Sequence, residues 1–314
     1  MIPAPPPGIY PDVPEAEYRA WDAVNASLLV DLRDMPPARA RHRLLNRKLD
    51  TEATLLGRTL HLVMLQPELL ARYTVSPPFL RNYRDEASVL EKTGRVGVGG
   101  KREAEEFDER VEREGLEVIE HDVYETAVTM RDAALCDPQV RRILSAPDNV
   151  RELSVVWQDR ATGLPCKMRI DIGCSLFGRP HIIDLKSARD AGRAMFGRQI
   201  ESLGHHIRAA HYLEGARVSG LFDDPAYAWL VQDKPEPYLC AFYYADAEID
   251  LVDGEEERAR LTRVWAHCQE TDSYPGHTVD GAPSVCTRPG YARWERMRKL
   301  GLHGRGGDGG EDWL

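Results

Sequence analysis

Apolar positions recur at helical spacing through most of the first 148 residues and switch to strand spacing near Glu152. "NASLLVDLRDM" begins behind Asn25 or Ser27 as an N-cap and stops before Pro36-Pro37, which predicts one short helix. "PPARARHRLLNRK" has proline in its first turn and predicts a second, basic helix. In "TEATLLGRTLHLVMLQPELL", residues Leu55, Leu56, Thr59, Leu60, Val63 and Met64 share one helical face and predict a buried helix. The polar, glycine-bearing stretch from Val75 to Gly100 reads as a mobile loop or a substrate-side flap. Two or three helices are expected between Lys101 and Ser145.

Beyond Glu152 the runs "ELSVVWQ", "PCKMRIDIG" and "PHIIDLKS" are β-branched or alternating, and "DRATGLP" and "CSLFGR" divide them. Turn residues at both breaks predict an antiparallel three-strand meander. A helical stretch, "DAGRAMFGRQIESLGHHIRAAHYLEGARVSG", comes next. Two strands near "AYAWLVQ" and "YLCAFYYA" and a helix "GEEERARLTRVWAHCQE" complete the pattern. The order predicts an α+β core with an N-terminal helical elaboration. Three segments are expected: a proline-rich, polyproline-like arm over 1–15, one globular domain over 16–295, and a flexible Gly-rich acidic tail over 296–314. Within the domain, 16–148 is mainly helical and 149–295 contains the sheet.

The 314 residues are 42% hydrophobic and 29% charged, an ordinary globular balance. The formal charge of −10 argues against a general coat for nucleic acid and leaves room for a local basic groove. No apolar run approaches the roughly 20 residues of a membrane span, and the first residues lack a secretory pattern. A cytoplasmic protein with no membrane partner is therefore expected. The 6 cysteines include no CxxC pair, which predicts reduced thiols rather than a disulfide framework or an iron–sulfur site.

The candidate chemistry lies in "RIDIGCSLFGRPHIIDLKS". Side chains alternate along a strand, so Asp184 and Lys186 share a face. A turn between Leu176 and Arg179 would set Asp171 beside Asp184 across the ladder. Two carboxylates and a lysine on one face call for a compensating cation, and Mg²⁺ takes one or two carboxylates plus waters and phosphate oxygens. The lysine would then orient or deprotonate an attacking water, or stabilise developing negative charge. On the tripeptide alone, a solvated surface pair of little energetic weight is the better reading. The apolar flanks and the upstream aspartate set this one apart. Downstream, Lys186, Arg189, Arg193, Arg198, Arg208 and Arg217 face only Asp190, Glu201 and Glu214, which suggests a phosphate-tracking stripe. Arg39 to Arg43 form a second, weaker patch. His205, His206 and His211 lack a His-x-x-x-His spacing and read as a solvated or DNA-facing helix rather than a metal site.

Five segments in this order and spacing resemble the RecE-type exonucleases, the exodeoxyribonuclease VIII family within the PD-(D/E)XK superfamily. They are "GIYPDVPEAEYRAWDAVNASLL", "LLGRTLHLVMLQPELLARYTVSPPF", "ELSVVWQDRATGLPCKMRIDIG", "IIDLKSARDAGRAMFGRQI" and "HHIRAAHYLEGA". The resemblance implies a PD-(D/E)XK restriction-endonuclease-like core, a mixed central sheet flanked by helices. It implies Mg²⁺-dependent hydrolysis of linear duplex DNA, with Mn²⁺ substituting, from 5′ ends, leaving 3′ single strands for recombination in a phage or prophage setting. It implies a homo-oligomeric ring, such as a tetramer, that acts on double-stranded DNA ends beside a single-strand annealing protein. His61 in "GRTLH" matches the family's metal-binding histidine, although on residues alone a single histidine on an apolar helix face is more often a core residue than a ligand. Asp171 and Asp184 match its metal-binding acids, Lys186 its catalytic lysine, and Glu152 an acid near that site. The family's Gln-x-x-x-Tyr pair falls on Arg208 and Tyr212, so a charged donor replaces an amide that also accepts. Arg208, Tyr212, Arg189, Arg193 and Arg198 are the expected DNA contacts. An endonuclease or a nuclease of other polarity on the same fold remains open, as does a catalytically decayed DNA-end-binding recombination scaffold.

Overall fold

The predicted meander forms, and its register organises the whole sheet. A computed structural model describes residues 1–46, 52–78 and 98–278. Residues 79–97 of the expected loop lie outside the described residues, as does everything after 278, including the expected tail. Met1–Tyr274 form one compact unit.

The strands are β1 (Ile2–Pro3), β2 (Gly8–Tyr10), β3 (Trp21–Asp22), β4 (Tyr73–Val75), β5 (Glu117–Ile119), β6 (Val150–Gln158), β7 (Pro165–Leu176), β8 (Arg179–Ala188), β9 (Ala226–Asp233) and β10 (Cys240–Tyr244). The helices are α1 (Glu15–Ala20), α2 (Ala26–Asp34), α3 (Pro37–Leu45), α4 (Glu52–Leu65), α5 (Val98–Glu114) and α6 (His121–Cys136). After them come α7 (Pro138–Leu144), α8 (Arg193–Ser202), α9 (His205–Ser219) and α10 (Asp250–Thr271). A six-stranded sheet runs in the order β10-β9-β8-β7-β6-β2. Its neighbours are antiparallel except β8 and β9, whose parallel pairing requires the crossover that α8 and α9 supply.

Local chemistry explains these joints. Phe177 and Gly178 form the β7–β8 turn with φ of 53° and 78°, the mirror-image turn whose twist matches the strands. Asn25 caps α2 by accepting from the Leu28 N–H at 2.9 Å. Gly204, at φ 64°, divides the single helical stretch expected there into α8 and α9. The proline-rich arm is not a free polyproline segment. Its Gly8–Tyr10 pair with β6 from Gly8↔Val156 to Tyr10↔Ser154, because an open sheet edge leaves peptide groups to satisfy.

Two apolar layers sandwich the sheet. Leu153, Val155, Trp157, Met168, Ile170, Ile182 and Trp229 pack with α2, α9 and α10. On the other face, Ile172, Cys174, Leu176, Ile183, Leu185 and Leu230 pack with α4, α6 and α7. Ile170 and Ile172 are two positions apart yet belong to opposite layers, which a regular strand cannot achieve. The β6–β7 register passes from Arg151↔Ile172 to Leu153↔Ile170, skipping Glu152 and Asp171 together. Glu152 sits at φ 48°, and the β7–β8 ladder stops at Ile172↔Ile183. The sheet therefore forks at Asp171.

Helix α9 is not solvated, contrary to the pattern of its histidines. His205, His206 and His211 are buried where the helix lies between the sheet and α10. Burial pushes His211 down to about 3, so its ring is neutral, and Nε2 donates to the Lys167 carbonyl at 3.1 Å. A neutral imidazole with a carbonyl partner is inexpensive to bury, which a polar pattern alone does not reveal. The five described cysteines, Cys136, Cys166, Cys174, Cys240 and Cys268, are free thiols. No described helix is long and apolar enough to cross a membrane.

The packing of α10 on α9 leaves no room at Gly254, where an added Cβ would overlap the backbone carbonyl of His206. Gly254→Ala should destabilise the fold by about 1–3 kcal/mol through this overpacking. Thermal unfolding by circular dichroism measures it, and an unchanged midpoint would show that the helices do not meet there.

Candidate metal centre and active site

Where β7 departs, the buried peptide of Leu185 loses its strand partner. Asp171 Oδ2 accepts from the Leu185 N–H at 2.8 Å, so a carboxylate stands where a strand carbonyl would have been. The Leu185 carbonyl accepts from His61 Nε2 at 3.2 Å and from Lys186 Nζ at 3.3 Å. Helix α4 delivers His61 because Leu60, Val63 and Met64, three members of its predicted face, lock into the layer around Ile183 and Leu185.

The second ring nitrogen of His61 lies 3.1 Å from Glu152 Oε1, and Nε2 lies 3.8 Å from Asp171 Oδ2. His61, Glu152 and Asp171 each present one ligand atom, and these atoms all fall within 4.8 Å of one another. Acceptors face both ring nitrogens, which suits the doubly protonated imidazolium. Burial works against that charge, but Asp171 and Glu152 outweigh it and hold His61 up at about 9. Burial and then the nearby Asp184 raise Asp171, His61 opposes them, and the carboxyl settles at about 7. These acids are short of positive charge, and a proton on His61 supplies part of it.

Asp184 answers to different cations. Its carboxylate is only 2% exposed and lies 2.5 Å from Lys186 Nζ. Burial opposes its ionisation, but Lys186 and then Arg208 prevail and bring it down to about 2. Arg208 lies on α9 and donates to the Tyr212 hydroxyl at 3.4 Å. Tyr212 is buried with its ring 6.2 Å from that of Tyr227, and burial pushes its hydroxyl up to about 12.

The structure thus brings His61, Glu152 and Asp171 into one ligand set and places Asp184 with Lys186 outside it. Arg189, Arg193 and Arg198 are exposed beyond β8 and on α8. The basic stripe is not continuous, since Arg208 turns inward to Tyr212 and Arg217 pairs with Glu214. The Leu185 peptide was not foreseeable, because a backbone group carries no signature in the sequence. The left-handed backbone at Glu152 was equally hidden, since glutamate has no preference for it. Two carboxylate oxygens, an imidazole nitrogen and a nearby backbone carbonyl form a donor set suited to a hard or borderline divalent cation.

No known family profile matches the chain, and no curated protein matches it. Among solved structures, a protein from Eubacterium rectale described as a "putative exonuclease" superposes with a TM-score of 0.52 and 11% identity. The match covers 88% of this chain and 96% of that one. A structure of SSO0001 matches over 67% of this chain and 84% of that one at 14% identity, with a TM-score of 0.28 too low to carry an argument. At 11% identity the likeness concerns the fold: this chain shares the mixed α+β arrangement of the Eubacterium rectale protein.

Proposed function

We propose that the chain is a divalent-metal-dependent DNA exonuclease of the RecE type on a PD-(D/E)XK core. It would digest linear duplex from 5′ ends and leave 3′ single strands. The observation that carries this reading is the fork at Asp171, where His61, Glu152 and Asp171 come within ligand distance beside Lys186. The description of the Eubacterium rectale protein supports a nuclease in general. Polarity, a homo-oligomeric ring and a single-strand annealing partner rest on the five segments quoted above.

His61, Glu152 and Asp171 would hold Mg²⁺ or Mn²⁺, which supplies Lewis-acid polarisation of a phosphoryl oxygen and a more acidic bound water. The chain's own residues then have distinct tasks. His61 must surrender its proton to offer a lone pair. Lys186, oriented by Asp184, would hydrogen-bond the attacking water or the developing phosphorane oxygens. Arg189, Arg193 and Arg198 meet backbone phosphates from the exposed rim and hold the duplex in register.

The direct test is release of label from end-labelled linear duplex in Mg²⁺. Lys186→Ala should lower the rate by at least about 10²-fold, the usual scale for a positioned acid–base group. Equal rates would remove this mechanism. Labelling each end in turn reads the polarity.

The proton on His61 sets a pH dependence with a definite sign. Its folded value of about 9 exceeds the ordinary 6.5, so the stabilisation it lends the metal-free fold is complete below about 6.5 and disappears as pH rises through about 9. Metal binding needs the unprotonated ring. Mn²⁺ affinity should therefore rise between pH 6.5 and 9, by up to about tenfold per unit, with proton release on binding. Calorimetry in buffers of differing ionisation enthalpy measures both, and a flat affinity without proton release would contradict it.

A further inference from the structure

We infer that the outer edge of β10 is a docking surface for a second copy of this chain, whose own β10 pairs with it antiparallel about a two-fold axis at Phe242. The inference stands apart from the metal reading. Strand β10 ends the six-stranded sheet, and among the described residues no strand lies beyond it. The hydrogen bonds to β9 fix which way its peptides point. The Leu239 carbonyl accepts from the Asp233 N–H at 2.9 Å, and the Ala245 N–H donates to the Tyr227 carbonyl at 3.0 Å. Bonded pairs alternate along an antiparallel ladder, so Leu239, Ala241, Tyr243 and Ala245 turn their peptides to β9. Cys240, Phe242 and Tyr244 turn theirs outward, and no hydrogen bond among the described residues reaches those groups.

The two edges of the sheet are protected unequally. Strand β2, at the far edge, has only 3 residues and follows Pro5, Pro6 and Pro7, which cannot extend a ladder. Strand β10 has no such guard, since Tyr238 to Ala245 contains no charged residue, proline or glycine. Its faces are covered: Cys240 and Phe242 join one apolar layer, and Ala241 and Tyr243 join the other. The edge itself is what remains, with Leu239 61% and Tyr244 52% exposed near its two ends. The strand suits its own reverse. In the register centred on Phe242, Cys240 lies opposite Tyr244 of the second copy and Ala241 opposite Tyr243, small side chains against large ones. All the outward peptides of both chains are then matched, and any other two-fold register leaves one unmatched. No charges meet across the strand pair, which matters where copies with a formal charge of −10 repel. Both copies use the same patch, so the contact closes at two chains and differs from the head-to-tail contact of a ring.

The experiment uses the full chain without metal. Wild type should sediment with an even number of copies. Tyr244→Pro removes an outward N–H from each copy and spares the β9 ladder, so it should weaken the two-fold contact at least about tenfold. Cross-linking reads the same contact even if Tyr244→Pro does not fold. Tyr244→Cys sets a thiol opposite Cys240 of the second copy, where Cα atoms about 5.5 Å apart are within disulfide reach. Oxidation with diamide should therefore give a covalent dimer of Tyr244→Cys, and adding Cys240→Ser should abolish it. Wild type, whose two Cys240 residues lie four positions apart along the paired strands, should not cross-link through them. A monomeric or odd-numbered wild type, a folded Tyr244→Pro that assembles as tightly, or a cross-link that survives Cys240→Ser would overturn the inference.

Discussion

The arrangement turns on one peptide group. The strand ladder between β7 and β8 ends at Ile172↔Ile183, and Leu185, still beside Leu230 of β9, is buried with no β7 residue opposite it. A buried N–H and C=O without partners would cost several kcal/mol together, so the chain must supply replacements. It uses the Asp171 carboxylate for the N–H and the His61 ring for the carbonyl. The same two groups head the ligand set. The repair of a broken sheet and the gathering of three potential ligand groups are one event, and neither side chain can be altered without disturbing both.

A second constraint is electrical. Three carboxylates meet where two strands part, and none can stay ionised in a buried place without compensation. Compensation comes from both faces of the sheet. Helix α4 offers His61 from one layer, and α9 offers Arg208 from the other, with Lys186 reaching along β8. The result is unequal: Asp184 is held low at about 2, while Asp171 is left high at about 7. That inequality separates a carboxylate already satisfied by protein from one still able to accept a cation.

Helical and strand periods located the elements with fair accuracy, because periodicity reports burial directly. The meander, its two-residue turn and the buried face of α4 follow from residues near one another in the chain. The histidines of α9 and the proline-rich arm misled for a shared reason. Whether a polar side chain or an unpaired backbone is solvated depends on what packs over it, and β6 and α10 supply that covering from distant parts of the chain. The basic stripe failed likewise, since charge spacing cannot show that Arg208 turns toward Tyr212 and Arg217 toward Glu214.

The sequence by itself determined the α+β order of elements, the alternation that gives Asp184 and Lys186 a common face, and the apolar stripe that seats α4. These depend on covalent spacing and local burial. Only the tertiary structure decided that Glu152 and Asp171 drop out of the ladder together, that His61 closes over them, and that Asp184 turns to Lys186 and Arg208 instead. The reason is that a fork in a sheet is a property of three strands at once. Its geometry depends on which layer each neighbouring residue joins, and no single stretch of chain encodes that choice.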